Sequence, residues 1–418
     1  MEITKEEAIE IREKFGTPVY LYDEKILQEN AQNILNFPHT YGLTARYAMK
    51  ANPNGTILRI FNQLGLHIDA SSYHEVERAL IAGIPAEKIQ LTAQEIPEEK
   101  YLREMLKKGV IFNACSLQQL EIVGKVAPGS EISIRINPGE GSGKYNRTIT
   151  GGSKSSFGIW HEDITKVKNI VNEYNLKIIG LHTHIGSGTD PEIWQTVAGI
   201  SLPWAKEFPE VRKFNLGGGF KVARMPDEEG TDLQKCGNVI KQEFDKFYQE
   251  TSRKLHLEIE PGTYLVANAG VILTSVKDIV STDQYNFLKV DSGMTEIVRT
   301  TLYGAQHPLT LISLQENNSG KEKEYLVVGH CCETGDCLTP EKGNPENQVP
   351  RLLPKAQYDD LLIIGGAGAY CAGMSIKNYN SFPEAAEVLI PINRKPILIR
   401  QRQSLSQLTI NEIIPEGY

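Results

Sequence analysis

Cysteine is scarce and unpatterned. Six stand at 115, 236, 331, 332, 337 and 371, with no pair at CxxC spacing. That excludes a disulfide scaffold and the common zinc or thiol-redox motifs. Long apolar runs are missing as well: nothing nears the ~18–20 uninterrupted apolar residues that cross a bilayer. The opening MEITKEEAIEIREKFG is charged and lacks the apolar core of a secretory signal. There is no basic excess, because 44 Lys and Arg face 52 Asp and Glu, for a net charge of −8. This balance argues against a general binder of nucleic-acid backbones. Internal repeats and low-complexity tracts are absent too. The remainder is ordinary: 418 residues, 40% hydrophobic and 23% charged, enough for two or three globular domains at ~100–200 residues each. A reduced, cytoplasmic protein without membrane or nucleic-acid partners is the expectation.

The pattern of apolar residues changes along the chain. Residues 4–15 suit a short amphipathic helix, and Val19–Tyr22 read as a strand after the Thr17-Pro18 break. From about 43 to 260, short apolar runs at 45–49, 67–70, 89–91, 110–113, 132–137, 178–182, 213–216 and 257–260 alternate with helical patterns at 54–64, 73–82, 98–108, 117–126 and 164–174. Eight strands with helices between them predict a (β/α)8 TIM barrel, whose reactive groups collect at the strands' C-terminal ends. Lys50, Asp69, Arg135, His184, Gly217 and Glu260 fall at such ends. After about 265, strand-like runs separated by turns predict a C-terminal mainly-β domain. The expected division is 25–265 for the barrel, with 1–24 and 266–418 forming the β-rich part. The Gly- and Ser-rich stretch 138–156 reads as a long functional loop.

Several short clusters carry chemistry. Lys50 ends the first barrel strand and reads as a solvated surface charge or as an amine that partial desolvation would adapt to form a Schiff base with an aldehyde. His182 and His184, two apart in an extended segment, share a face; a metal pair, an aromatic wall for a ring cofactor and hydrogen-bonded core histidines are the three readings. Ser187 among glycines would let backbone N–H groups approach a phosphate, and Gly217-Gly218-Gly219 reads as a tight turn or as a phosphate cradle. Gly141-Ser142-Gly143-Lys144 is no Walker loop, since Tyr145 follows. Gly365–Gly368 lacks the following helix of a dinucleotide fingerprint. Glu260, before Pro261-Gly262, reads as a carboxylate that would hold a proton on a ring nitrogen or as a solvated helix-entry acid. Cys331-Cys332-Glu333 reads as a reactive thiol beside an acid, or as buried small hydrophobes.

Taken together, YAMKANPN, DASSYHEVERAL, RINPG, SSFGIW, GLHTHIGSG, NLGGGF, EPG, VDSGMTEIVR, LYGAQHP, CCETGD and GAGAYCAGMSIKNYNSFP resemble the pyridoxal-phosphate-dependent decarboxylases of the alanine-racemase-like fold, and among them the diaminopimelate decarboxylases. The resemblance implies Lys50 as the covalent anchor of pyridoxal phosphate, with His184 stacked on its ring. It implies Ser187 and Gly217, Gly218 and Gly219 at the phosphate, Glu260 at the ring nitrogen, and Gly262 and Tyr370 at the cofactor. Arg299, Tyr303, Glu333 and Tyr370 match substrate-binding positions, and Cys332 would donate a proton from the partner subunit of a homodimer with shared sites. No metal is implied. The implied reaction converts meso-diaminopimelate to L-lysine and carbon dioxide. Decarboxylation of carboxynorspermidine or ornithine and a non-catalytic cofactor-binding homologue are the alternatives. A racemase is opposed by Glu260, because racemases of this fold place arginine at the ring nitrogen.

Three positions depart from the family pattern. Thr263 replaces the arginine of EPGR, Ser156 stands where SKFG has lysine, and Thr300 replaces a proline. Losing a charged hydrogen-bond partner costs about 1.5–3 kcal/mol unless another cation compensates. Arg147, Lys154 and Lys221 are the candidates.

Overall fold

Eight parallel strands close on themselves: β1 (Leu43–Ala48), β2 (His67–Ala70), β3 (Ile89–Leu91), β4 (Ile111–Ala114), β5 (Glu131–Asn137), β6 (Lys177–His182), β7 (Lys213–Asn215) and β8 (His256–Ile259). Each pairs with the next, and β8 returns to β1 with Leu257 opposite Leu43. The computed structural model describes residues 1–139, 152–153, 155–184, 188–315 and 321–417. The helices have explicit starts. Asn54, Ser72 and Ser116 accept from Thr56, Glu75 and Gln119 N–H, and Asp232 caps Leu233–Thr251. Their buried faces follow the helical period, as with Ile57, Leu58 and Phe61. The helices that go beyond the expected set include Pro191–Ser201 and Leu233–Thr251. In the second, Leu233, Cys236, Ile240, Phe244 and Phe247 form the buried stripe.

The chain divides into two units. The barrel unit comprises Gln28–Val222 and Glu229–Leu265; the other comprises Met1–Leu27, Ala223–Glu228 and Val266–Tyr418. In the second unit one sheet runs Arg351–Pro354, Glu322–Val328, Asn286–Val290, Gly270–Ser281, Val19–Asp23, Ala386–Ile390 and Ile397–Arg400, with Leu361–Ile364 and Leu309–Ile312 branching from Gly270–Ser281. All five residues of Val19–Asp23 are buried. This strand lies antiparallel to Gly270–Ser281 and parallel to Ala386–Ile390. Ala8 and Ile11 of the first helix cover the same core as Leu21, Leu273, Leu361 and Val388. A TIM barrel with a mainly-β domain is therefore the architecture. Among the described residues, no helix is long and apolar enough to cross a membrane.

The six-residue excursion Ala223–Glu228 is held in the β-rich unit at three points. Asn268 Nδ2 donates to the Ala223 carbonyl (2.9 Å), Arg224 Nε donates to the Gly366 carbonyl (3.0 Å), and Lys342 pairs with Asp227.

Candidate active site

The barrel interior is polar in two layers. In the lower one, Arg46 on β1 meets Glu258 on β8 through Nη2–Oε1 (2.8 Å) and Nε–Oε2 (3.3 Å), and Lys213 Nζ lies 3.5 Å from Oε1. Burial favours the neutral acid at Glu258, but Arg46 and Lys213 outweigh it and bring the carboxyl down to about 2.

The upper layer centres on Glu260, which directly follows β8. Its Oε1 accepts from Asn215 Nδ2 (2.6 Å) and Gln90 Nε2 (3.2 Å), while Oε2 lies 3.5 Å from His182 Nε2. Asn113 Nδ2 faces His182 Nδ1 at 2.8 Å. With that amide donating, the neutral imidazole carries its proton on Nε2, toward Glu260. Burial, then Arg135, holds His182 well below the ordinary histidine range, so it is neutral at pH 7. Burial raises Glu260, opposed by the charges of Arg135 and Lys50 and by the Asn215 bond. Asp69 on β2 is raised further, by burial and then by Glu260.

Lys50 lies in the single turn Met49–Ala51 that ends β1, and its side chain is exposed. The turn is tied to the end of β8, because Ala48 N–H donates to the Pro261 carbonyl (3.1 Å). Gly262 belongs to that junction, where a Cβ would touch Ala48 and Ala51. His184 follows β6 by two residues, its imidazole also held neutral by burial and by Arg135. Gly217 has φ +73°, and a Cβ there would lie 2.7 Å from the His184 ring. A Cβ on Gly218 would collide with the Glu260 carbonyl oxygen. This turn must be glycine for both reasons.

The second unit presents its own groups. Arg299 and Tyr303 lie on the short helix Val298–Tyr303. Arg299 Nε donates to His307 Nε2 (3.4 Å), and His307 Nδ1 donates to the Gly365 carbonyl (2.9 Å). Tyr370 has φ +56°, a left-handed backbone that costs an ordinary side chain about 1–2 kcal/mol and clusters at functional sites. Cys332 is the one exposed cysteine of the six, with Glu333 exposed beside it. Their loop is organised by Asp336, whose carboxylate accepts from Met294 N–H (2.7 Å) and Cys331 N–H (2.8 Å).

The model of the pyridoxal-binding domain of pyridoxal-dependent decarboxylases matches residues 25–267. The chain belongs to the pyridoxal-dependent decarboxylase family. Diaminopimelate decarboxylase of Escherichia coli is 32% identical over 99% of this chain and 98% of that protein. A crystal structure of a diaminopimelate decarboxylase superposes with TM-score 0.90 at 32% identity, covering 97% of this chain and 96% of the other. That of M. jannaschii, in complex with L-lysine, gives 0.87 at 26% identity over 98% and 95%.

The cofactor of this decarboxylase family is pyridoxal phosphate, and the residues present fit it. The bare turn at Gly217 and Gly218, where a Cβ would strike the His184 ring or the Glu260 carbonyl oxygen, offers backbone N–H groups for a phosphate cradle. Around Glu260, Asp69 Oδ1 and His182 Nε2 are buried without a hydrogen-bond partner, so the pocket's polar groups are not used up among themselves. Gln90 and Asn113, which brace Glu260 and His182, escape sequence reasoning, for each is one polar residue in a short strand. Their signal is faint: an amide in an otherwise apolar run. Ser187, Arg147 and Lys154 lie outside the described residues. Among those described, no three His, Cys, Asp or Glu side chains cluster to hold a metal.

Proposed function

We propose that this chain decarboxylates meso-diaminopimelate to L-lysine and carbon dioxide with pyridoxal phosphate. The observation that carries the reading is the junction of the Lys50 turn with the buried Glu260 at the ends of adjacent strands β1 and β8. Likeness over nearly the full chain to the diaminopimelate decarboxylases supports the substrate.

When bound, pyridoxal phosphate supplies the electron sink for the pair left at the α-carbon as carbon dioxide departs. Lys50 offers its amine to the aldehyde. Glu260 would hold a proton at the ring nitrogen, with Asn215 and Gln90 fixing its orientation. His184, held neutral by burial, would stack on the ring without adding a charge. Ser187 and the N–H groups of Gly217, Gly218 and Gly219 would take the phosphate, and Gly262 and Tyr370 are the further cofactor-binding positions. Arg299, Tyr303, Glu333 and Tyr370 bind substrate, and Cys332 delivers a proton from a fixed side. The exposure of Cys332 suits service to a second copy, so the reading includes a cytoplasmic homodimer with shared sites. Net charge −8 leaves nucleic acid out of it. Thr263 favours a second reading, in which the substrate is a relative such as carboxynorspermidine or ornithine.

The test begins with protein purified in the presence of cofactor. The expected results are a visible absorbance band that Lys50→Ala abolishes, and carbon dioxide release from meso-diaminopimelate exceeding that from ornithine, arginine and carboxynorspermidine. Absence of the band refutes the cofactor assignment. Turnover confined to a polyamine precursor refutes the lysine-forming reaction.

A further inference from the structure

The β-rich unit contains two linked guanidinium groups that, among the described residues, form no ion pair. A continuous set of contacts joins them. Arg299 Nε donates to His307 Nε2, His307 Nδ1 donates to the Gly365 carbonyl, and the next carbonyl, Gly366, accepts from Arg224 Nε at 3.0 Å. Because Nδ1 of His307 carries the proton that goes to Gly365, its Nε2 is the acceptor for Arg299. The ring therefore adds no negative charge. Gly366 has φ +62°, and a Cβ there would press on Arg224 Cγ and Cδ at 3.0 Å, so the turn is shaped around this arginine.

Neither guanidinium belongs to an ion pair among the described residues. Arg224 Nη2 is enclosed and lacks any acceptor. The nearby acid, Glu228, has its Oε2 engaged by the backbone N–H of Arg224 (3.0 Å) and of Met225 (3.3 Å). Burial and the neighbouring Arg299 bring Arg224 down to about 9, which still leaves it charged at pH 7. Two part-buried cations without an anion are costly, and one carboxylate would relieve both the repulsion and the orphaned donor. Arginine's planar fork is the group suited to that ligand.

We propose that Arg224 joins Arg299 in binding the carboxylate that meso-diaminopimelate retains as it becomes L-lysine. The inference rests on the decarboxylase reading above. It supplies the cation that Thr263 denies the chain, from a residue other than Arg147, Lys154 or Lys221.

The test is calorimetric titration of the cofactor-loaded enzyme with L-lysine and with pentane-1,5-diamine, which lacks the carboxylate. Arg224→Ala should weaken L-lysine about ten- to hundredfold, raise KM for meso-diaminopimelate in step, and leave the diamine unchanged. Arg224→Lys keeps the charge but not the fork, so it should fall between; it also serves if the alanine variant does not fold. Unchanged L-lysine binding in both variants, or equal losses for lysine and diamine, overturns the inference alone. Loaded wild-type enzyme that releases no carbon dioxide from meso-diaminopimelate overturns the substrate reading, and this inference with it.

Discussion

Glu258→Gln removes the one carboxylate that Arg46 and Lys213 share inside the barrel. The contacts are 2.8 and 3.3 Å to Arg46 and 3.5 Å to Lys213, with Arg46 2% and Glu258 4% exposed. Water cannot take over the abandoned charge, and Arg46 Nη1 already lacks an acceptor. Breaking a buried pair by removing one partner costs about 3–5 kcal/mol. At ~2–4 °C per kcal/mol for a unit of this size, the barrel transition should drop by roughly 6–20 °C. Circular-dichroism melts at pH 7 on wild type, Glu258→Gln, Arg46→Met and the double methionine variant give the assay. The double variant should recover part of the loss, since a buried pair contributes little net against apolar packing.

The pH axis gives an independent check on the same pair. Folding lowers Glu258 from an ordinary 4.5 to about 2. The unfolded chain therefore binds more protons in that window, and stability falls as the pH drops through it. Glu258→Gln should remove this part of the acid limb. A variant melting within about 2 °C of wild type at pH 7, with an unchanged acid limb, would refute the reasoning.

Two further outcomes follow from other residues. Gly218→Ala drives a methyl into the Glu260 carbonyl, and the displacement should weaken cofactor binding by 1–3 kcal/mol, roughly five- to 150-fold; unaltered affinity in an absorbance titration counts against the cradle. Glu296 is raised from 4.5 to about 7, by burial above all, against the Thr295 and Gly293 bonds. Its contribution is present below about 4.5 and lost as the pH rises to about 7, worth about 3 kcal/mol. Glu296→Gln should flatten that decline in melts between pH 5 and 8, and an equal decline in both proteins contradicts it.

The barrel was legible because each strand is a short apolar run closed off by turn residues, and most helices announce themselves with a cap such as Asn54, Ser72 or Ser116. Lys50 and Glu260 stood out for the same reason, as charged residues where a buried strand stops. Leu309–Ile312 and Arg351–Pro354 are not legible, since Thr310 interrupts the first apolar run and the second has only two apolar residues between Arg351 and Pro354. Gln90 and Asn113 were equally silent: an isolated amide in a strand says nothing about which carboxylate or imidazole it will meet.

What the sequence determined by itself is local: scarce cysteine, no spanning run, the alternation that makes a barrel and then a sheet, and glycines where the backbone must be bare. Tertiary structure decided what depends on residues distant in the chain. Only closure of β8 onto β1 seats the Glu260–Pro261 corner beside the Lys50 turn. Only the placement of Ala223–Glu228 with the β-rich unit links Arg224 to Gly366 and, through His307, to Arg299. Burial then set the charges: the same carboxyl chemistry is lowered at Glu258 by two cations and raised at Glu260 by desolvation. Periodicity reports which face of an element is apolar, whereas proton affinity depends on what lies across the barrel.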